Sequence, residues 1–76
     1  MAPKELSALF AANVRALLAA REWSQNHLAD LLGIKSGTAS RLLSGDHVPS
    51  GATLSRVADV LGVQPHELLM PAKRKK

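Results

Sequence analysis

A chain of 76 residues holds one domain, small enough that a single core leaves it a thin margin of stability. It has no cysteine, which excludes a disulfide framework and a thiolate zinc site, and no apolar run approaches membrane-spanning length. The formal net charge of +4 equals the four cations Lys73, Arg74, Lys75 and Lys76, so the six basic and six acidic side chains of residues 1–72 sum to zero and the basicity belongs to a tail.

Pro3 suits the first turn of a helix, where its missing N–H costs nothing. From there Leu6, Leu9, Phe10, Asn13, Val14, Leu17 and Leu18 recur at three- and four-residue steps to about Arg21, which predicts a first amphipathic helix. Glu22 and Trp23 break the pattern, and Ser24 offers an N-cap oxygen to a second helix. Leu28, Ala29, Leu31 and Leu32 are its expected buried side, and Gly33 its left-handed stop. Trp23 is expected to cover the core where the first two helices meet.

A third helix is predicted over 36–44, opened by Lys35 and Ser36, with Ala39, Leu42 and Leu43 inward and Gly45 at its end. Gly45-Asp46-His47-Val48-Pro49 reads as a loop by composition. Ser50 caps a fourth helix with Leu54, Val57, Ala58 and Leu61 inward and Gly62 at its close. Pro65 starts a last short helical turn through His66, Glu67, Leu68 and Leu69, and Pro71 shuts it off. No segment alternates with period two, so the expected fold is all-α, a compact bundle of five short helices. Residues 1–71 form the domain, and residues 72–76 a basic tail that is either disordered or laid against phosphates.

One spacing is tighter than a generic bundle needs. The second and third helices are short and joined by a turn of a few residues, which forces a steep crossing. A steep crossing brings backbones close and calls for a small residue, which Ala29 supplies. The turn needs a residue tolerant of positive φ, which Gly33 supplies. Leu28, Leu32, Ile34 and Leu42 fill the wedge, giving a helix-turn-helix from Gln25 to Ser44.

Ser24-Gln25-Asn26-His27-Leu28-Ala29-Asp30-Leu31-Leu32-Gly33-Ile34 resembles the opening of the helix-turn-helix of the lambda repressor/Cro-type (XRE-like) family. Thr38-Ala39-Ser40-Arg41, Gly45, Pro49, Leu54 through Val63, and Pro65-His66-Glu67-Leu68-Leu69 extend the likeness over roughly residues 6–70. The resemblance implies a sequence-specific transcriptional regulator of double-stranded DNA, a repressor, whose second motif helix enters the major groove. It also implies a homodimer reading two half-sites of a palindromic operator about one turn apart.

Site residues follow from matching positions. Gln25 resembles the family glutamine that meets the DNA backbone, and Lys35 a phosphate contact. Ser36, Gly37, Ser40 and Arg41 match the positions that reach base edges. Arg41, the one long donor among them, has three readings: bidentate to a guanine, a contact worth about 1–3 kcal/mol of discrimination, bound to a phosphate, or bound to an acidic neighbour. Thr38 lies at the edge of the buried side and has both a backbone-contact and a packing reading. Ser44 and His47 fall where the family approaches the second phosphate strand, although Asp46-His47-Val48 stands where many members carry lysine or arginine.

Many relatives pair a helix-one arginine with a glutamate ending the recognition helix. Both positions are leucine here, Leu18 and Leu43, which are therefore expected to meet in the core. Val63, Leu68, Leu69 and Met70 are rich in apolar surface for a chain end, and either cap the core or meet a second protomer.

No enzymatic activity is expected: His27, His47 and His66 are scattered, and no carboxylate pair shares a plausible site. No cofactor or metal is implied, nor any membrane partner. The amino terminus lacks a signal-peptide pattern, so the expected compartment is cytoplasmic. The competing reading is an antitoxin or adaptor that uses the same fold chiefly for protein contacts.

Overall fold

The structure, a computed structural model, describes residues 3–46 and 49–70, with side chains from Leu6 onward. Helix α1 spans Pro3–Arg21, α2 Gln25–Leu32, α3 Ser36–Leu42 and α4 Gly51–Leu61, and a 3-10 helix covers Pro65–Leu69. The described chain therefore has four α-helices and not five. Pro65 at the first position and Pro71 just beyond leave too few residues for i→i+4 bonding to take hold. Nor are all the helices short, since α1 runs for 19 residues.

The helix starts follow the expected chemistry. The Ser24 hydroxyl accepts from the His27 N–H, and the Ser50 hydroxyl from the Thr53 N–H. Gln64 and Glu67 close a reciprocal capping box around the 3-10 helix. The helix ends repeat one device. Gly33 at φ 72° and Gly62 at φ 74° send the next N–H back to the carbonyl five residues earlier, Ile34 to Ala29 and Val63 to Ala58. At the end of α1 the same backward bond, Trp23 N–H to Leu18 carbonyl at 2.9 Å, is made around Glu22 at φ 60°. A residue with a Cβ thus holds a conformation that glycine takes at no steric cost.

The core is one cluster: Phe10, Val14 and Leu18 from α1, Leu28 and Leu32 from α2, Leu42 and Leu43 at the end of α3, Val57, Ala58 and Leu61 from α4, and Leu68. Leu18 and Leu43 are both members of it, each under a tenth exposed. Trp23 packs against the same cluster at the α1–α2 junction, as expected.

Leu31 departs from expectation, being 45% exposed. At about 100° per residue, the buried trio Leu28, Ala29 and Leu32 defines a face. Leu31 stands about 107° from the centre of that face by the same rotation. The three-four periodicity admits Leu31 as a neighbour of Leu28 without placing it inward.

Among the described residues two polar side chains lie inside, Ser7 and Asn13. The Asn13 amide donates to the carbonyls of Leu68 at 2.9 Å, Met70 at 2.7 Å and Glu67 at 3.3 Å, so it stitches the 3-10 helix onto α1. Three arginines make a second set of ties. Arg15 donates to the carbonyl of Leu43 at 2.9 Å, Arg56 to that of Leu32 at 2.6 Å, and Arg21 to that of Leu61. Each acceptor lies at the last residue or C-cap of a helix, where main-chain carbonyls lack partners and the helix dipole is negative.

Candidate nucleic-acid interface

Helix α3 is the element on which the candidate surface stands. It is seven residues long, too short to persist alone, and its order comes from what holds its flanks. Behind it α2 supplies the apolar wedge, with Ala29 2% exposed on one side and Ala39 fully buried on the other. In front of it lies the Gly33 turn. At its exit two side chains of α1 take main-chain carbonyls, Arg15 that of Leu43 and Ser7 that of Gly45 at 2.7 Å.

The helix ends earlier than the sequence pattern suggests. It closes at Leu42 with Leu43 as its cap, and not at Ser44 or Gly45. Leu43 is drawn into the core while Arg15 binds its carbonyl, and the Ser44 hydroxyl donates to the Arg41 carbonyl at 2.8 Å, where a further helical N–H would have bonded.

With that frame in place, the predicted residues distribute clearly. Ser36, Gly37, Thr38, Ser40 and Arg41 are all exposed on α3, while Ala39 and Leu42 turn inward. Thr38 is exposed, so its packing reading falls away. Lys35 is the exposed N-cap of α3 and makes no side-chain capping bond. Gln25 opens α2 and is half-buried. Ser44 is exposed but already engaged, since its hydroxyl also accepts from the Asp46 N–H at 3.2 Å. His47 lies outside the described residues, as does the Lys73–Lys76 tail.

Gly37 is the most informative of these positions. Its φ is not positive, and a Cβ built there meets nothing within 4 Å. The folded chain therefore has no steric or conformational need for glycine at this place. By contrast Gly33 and Gly62 answer to left-handed turns.

Among the described side chains, Arg21 and Arg56 are committed to carbonyl ties, and Arg21 also lies over the Trp23 ring at 5.7 Å. Lys35 and Arg41 extend from the ends of α3 with no such tie. What sequence reasoning passed over is the support: Ser7 and Arg15 gained no role, and Asn13 counted only as a member of the α1 stripe. Polar residues on an apolar stripe were a legible signal for Ser7 and Asn13. Arg15 gave none, because its acceptor is a main-chain carbonyl that no residue type announces.

A short helix packed on its predecessor across a left-handed glycine turn, presenting a nearly bare outer face, defines the helix-turn-helix class. The helix-turn-helix family model matches residues 14–68. The chain belongs to that family, in its lambda repressor/Cro-type, XRE-like branch. Among solved structures it is similar to a hypothetical transcription factor from Neisseria, NHTF. That match has 27% identity and a TM-score of 0.82, and covers 93% of this chain and 82% of the other. Among curated proteins no sequence matches it. No described helix is long and apolar enough to cross a membrane, and no three of the described His, Asp or Glu residues group as metal ligands.

Proposed function

We propose that this protein is a sequence-specific regulator of transcription, a repressor, that lays α3 in the major groove of double-stranded DNA. The similarity to a transcription factor supports the class, and Gly37 carries the mechanism. A helical glycine with open space around it costs roughly 0.5 kcal/mol or more relative to alanine. The free chain gains nothing in return. What such a position favours is close approach by an outside surface, and Ser36 and Ser40 flank it with the smallest polar side chains. The backbone can then sit deep between the phosphate strands, with hydroxyls and water at the base edges.

In this reading Arg41 is the principal reader, bidentate to a guanine. Gln25 and Lys35 meet phosphates at the start of α2 and α3, Thr38 faces the backbone, and sequence-dependent DNA shape supplies the rest. Two protomers occupy a palindromic site. Of the apolar residues at the chain end, Leu68 is fully buried in the core, so it is not part of the pairing surface. Met70, 40% exposed, with the half-buried Leu69 and Val63, is what remains for a two-fold contact.

The test is selection of bound sites from random duplexes, followed by Gly37→Ala and Arg41→Ala on the selected site. Gly37→Ala should melt no lower than the parent yet bind the site at least tenfold more weakly. Arg41→Ala should change which sequence is preferred. Undiminished binding by Gly37→Ala would remove the close-approach argument. A uniform loss across all sequences would make Arg41 a phosphate anchor.

A further inference from the structure

We infer that Arg15, a residue of α1 outside the helix-turn-helix, is the phosphate anchor on the exit side of the recognition helix. This rests on the DNA-binding reading above and adds a contact to it. A helix lying in the major groove is flanked by two phosphate strands. On the starting side of α3 the chain offers Gln25 and Lys35. On the exit side the segment from Ser44 to Pro49 holds no lysine or arginine and carries the acidic Asp46.

Arg15 fills that gap from another helix. Its Nη2 donates to the Leu43 carbonyl at 2.9 Å, which pins the guanidinium to the C-cap of α3. The residue nevertheless remains exposed. A guanidinium has five N–H donors in a planar fork, and the Leu43 carbonyl takes one of its edges. The remaining donors belong to a side chain that is exposed as a whole and held by that bond, which suits a bidentate phosphate contact. The same side chain thus fixes the pose of the reading helix and supplies a charge beside it. Arg21 and Arg56 make similar carbonyl ties, but at the ends of α4 and α2, away from the exit of α3.

The experiment measures duplex affinity against salt, on a site selected by the parent protein. Two proteins are compared with the parent: Arg15→Gln, and a synthetic chain with citrulline replacing Arg15. Citrulline keeps a terminal NH2 that can bond the Leu43 carbonyl. It replaces the other terminal nitrogen by an oxygen, so the charge and that nitrogen's donors are lost together. Losing one phosphate contact lowers the slope of log K against log salt by about 0.9 per bound protomer. Between about 50 and about 200 mM salt the parent's affinity should therefore fall about 3.5-fold more, per protomer, than that of the citrulline protein. The preference for the selected site over a scrambled duplex should stay as in the parent.

An unchanged salt slope in the citrulline protein would reduce Arg15 to a structural tie, whatever happens to Arg15→Gln. If Arg15→Gln does not fold, as read by helical circular dichroism, the citrulline protein alone decides. A parent protein that selects no site from the random pool would overturn the DNA-binding reading itself, an outcome separable from failure of the Arg15 assignment.

Discussion

Asn13 is the residue whose replacement should cost this fold most for its size. Its amide donates to three carbonyls of the terminal segment, and the bond to Leu68 is buried. Asn13→Ala leaves the Leu68 carbonyl without a donor where water does not reach it, a penalty of about 1–3 kcal/mol. The Met70 carbonyl is partly buried and recovers some hydration, adding roughly 0.5–1 kcal/mol. The Glu67 carbonyl, at 3.3 Å, can only share one of the two N–H groups and adds less. The sum is about 3 kcal/mol, against a total stability of about 4–11 kcal/mol for a domain of this length. The melting temperature should fall by about 12–24 °C at about 4–8 °C per kcal/mol.

Asn13→Asp sharpens the test, because it keeps the shape and reverses the polarity. An ionised carboxylate accepts only, and would face three carbonyl oxygens. The fold favours its neutral form, which raises its pKa above the unfolded value. The penalty is then fully present above the folded pKa and is relieved as pH falls through it, when the acid can donate to one carbonyl. Thermal melts of the two variants across pH decide the matter. A melting point for Asn13→Ala within about 3 °C of the parent, or no recovery of Asn13→Asp relative to Asn13→Ala in acid, would refute the reasoning.

Other substitutions probe other parts of the argument. Glu22→Gly should raise stability by about 1 kcal/mol, since Glu22 holds a left-handed conformation at the end of α1; a denaturant titration showing a loss would mean that the Glu22 side chain contributes more than its backbone costs. Ala39→Leu should destabilise by about 1–3 kcal/mol through overpacking, because Ala39 is fully buried in the α2–α3 wedge. Calorimetry checks this, and a rise in melting temperature would show the wedge to be loosely filled. Met70→Glu should shift any self-association toward monomer in analytical ultracentrifugation while leaving the melting of the monomer nearly unchanged. A dimer that survives it pairs through another surface.

How far the sequence discloses this molecule depends on whether an interaction is local. Caps announce themselves: Ser24, Gly33, Ser50 and Gly62 all fall where their chemistry places them. So does the outward face of α3, because Ala39 and Leu42 mark its inner side. Contacts that join a side chain to a distant main-chain group do not. Asn13 reaches 55 residues along the chain to Leu68, and Arg15 28 residues to Leu43, and their acceptors are carbonyls common to every residue. Leu31 shows the other limit, since an apolar residue within a periodic stripe can still lie too far around the helix to be covered. The early end of α3 belongs with these, because it follows from a carbonyl claimed by another helix.

The arginine ties have a consequence for how the protein behaves in different ionic surroundings. Arg15, Arg21 and Arg56 each meet a neutral carbonyl at a helix end, and among the described residues no carboxylate takes part. A short hydrogen bond to a carbonyl is screened far less by dissolved ions than a pair of exposed charges. Attachment to a polyanion, in contrast, weakens steeply as salt rises. Release and unfolding are therefore driven by different variables. Concentrated salt should strip the protein from a duplex while leaving it folded, ready to rebind when the salt is diluted.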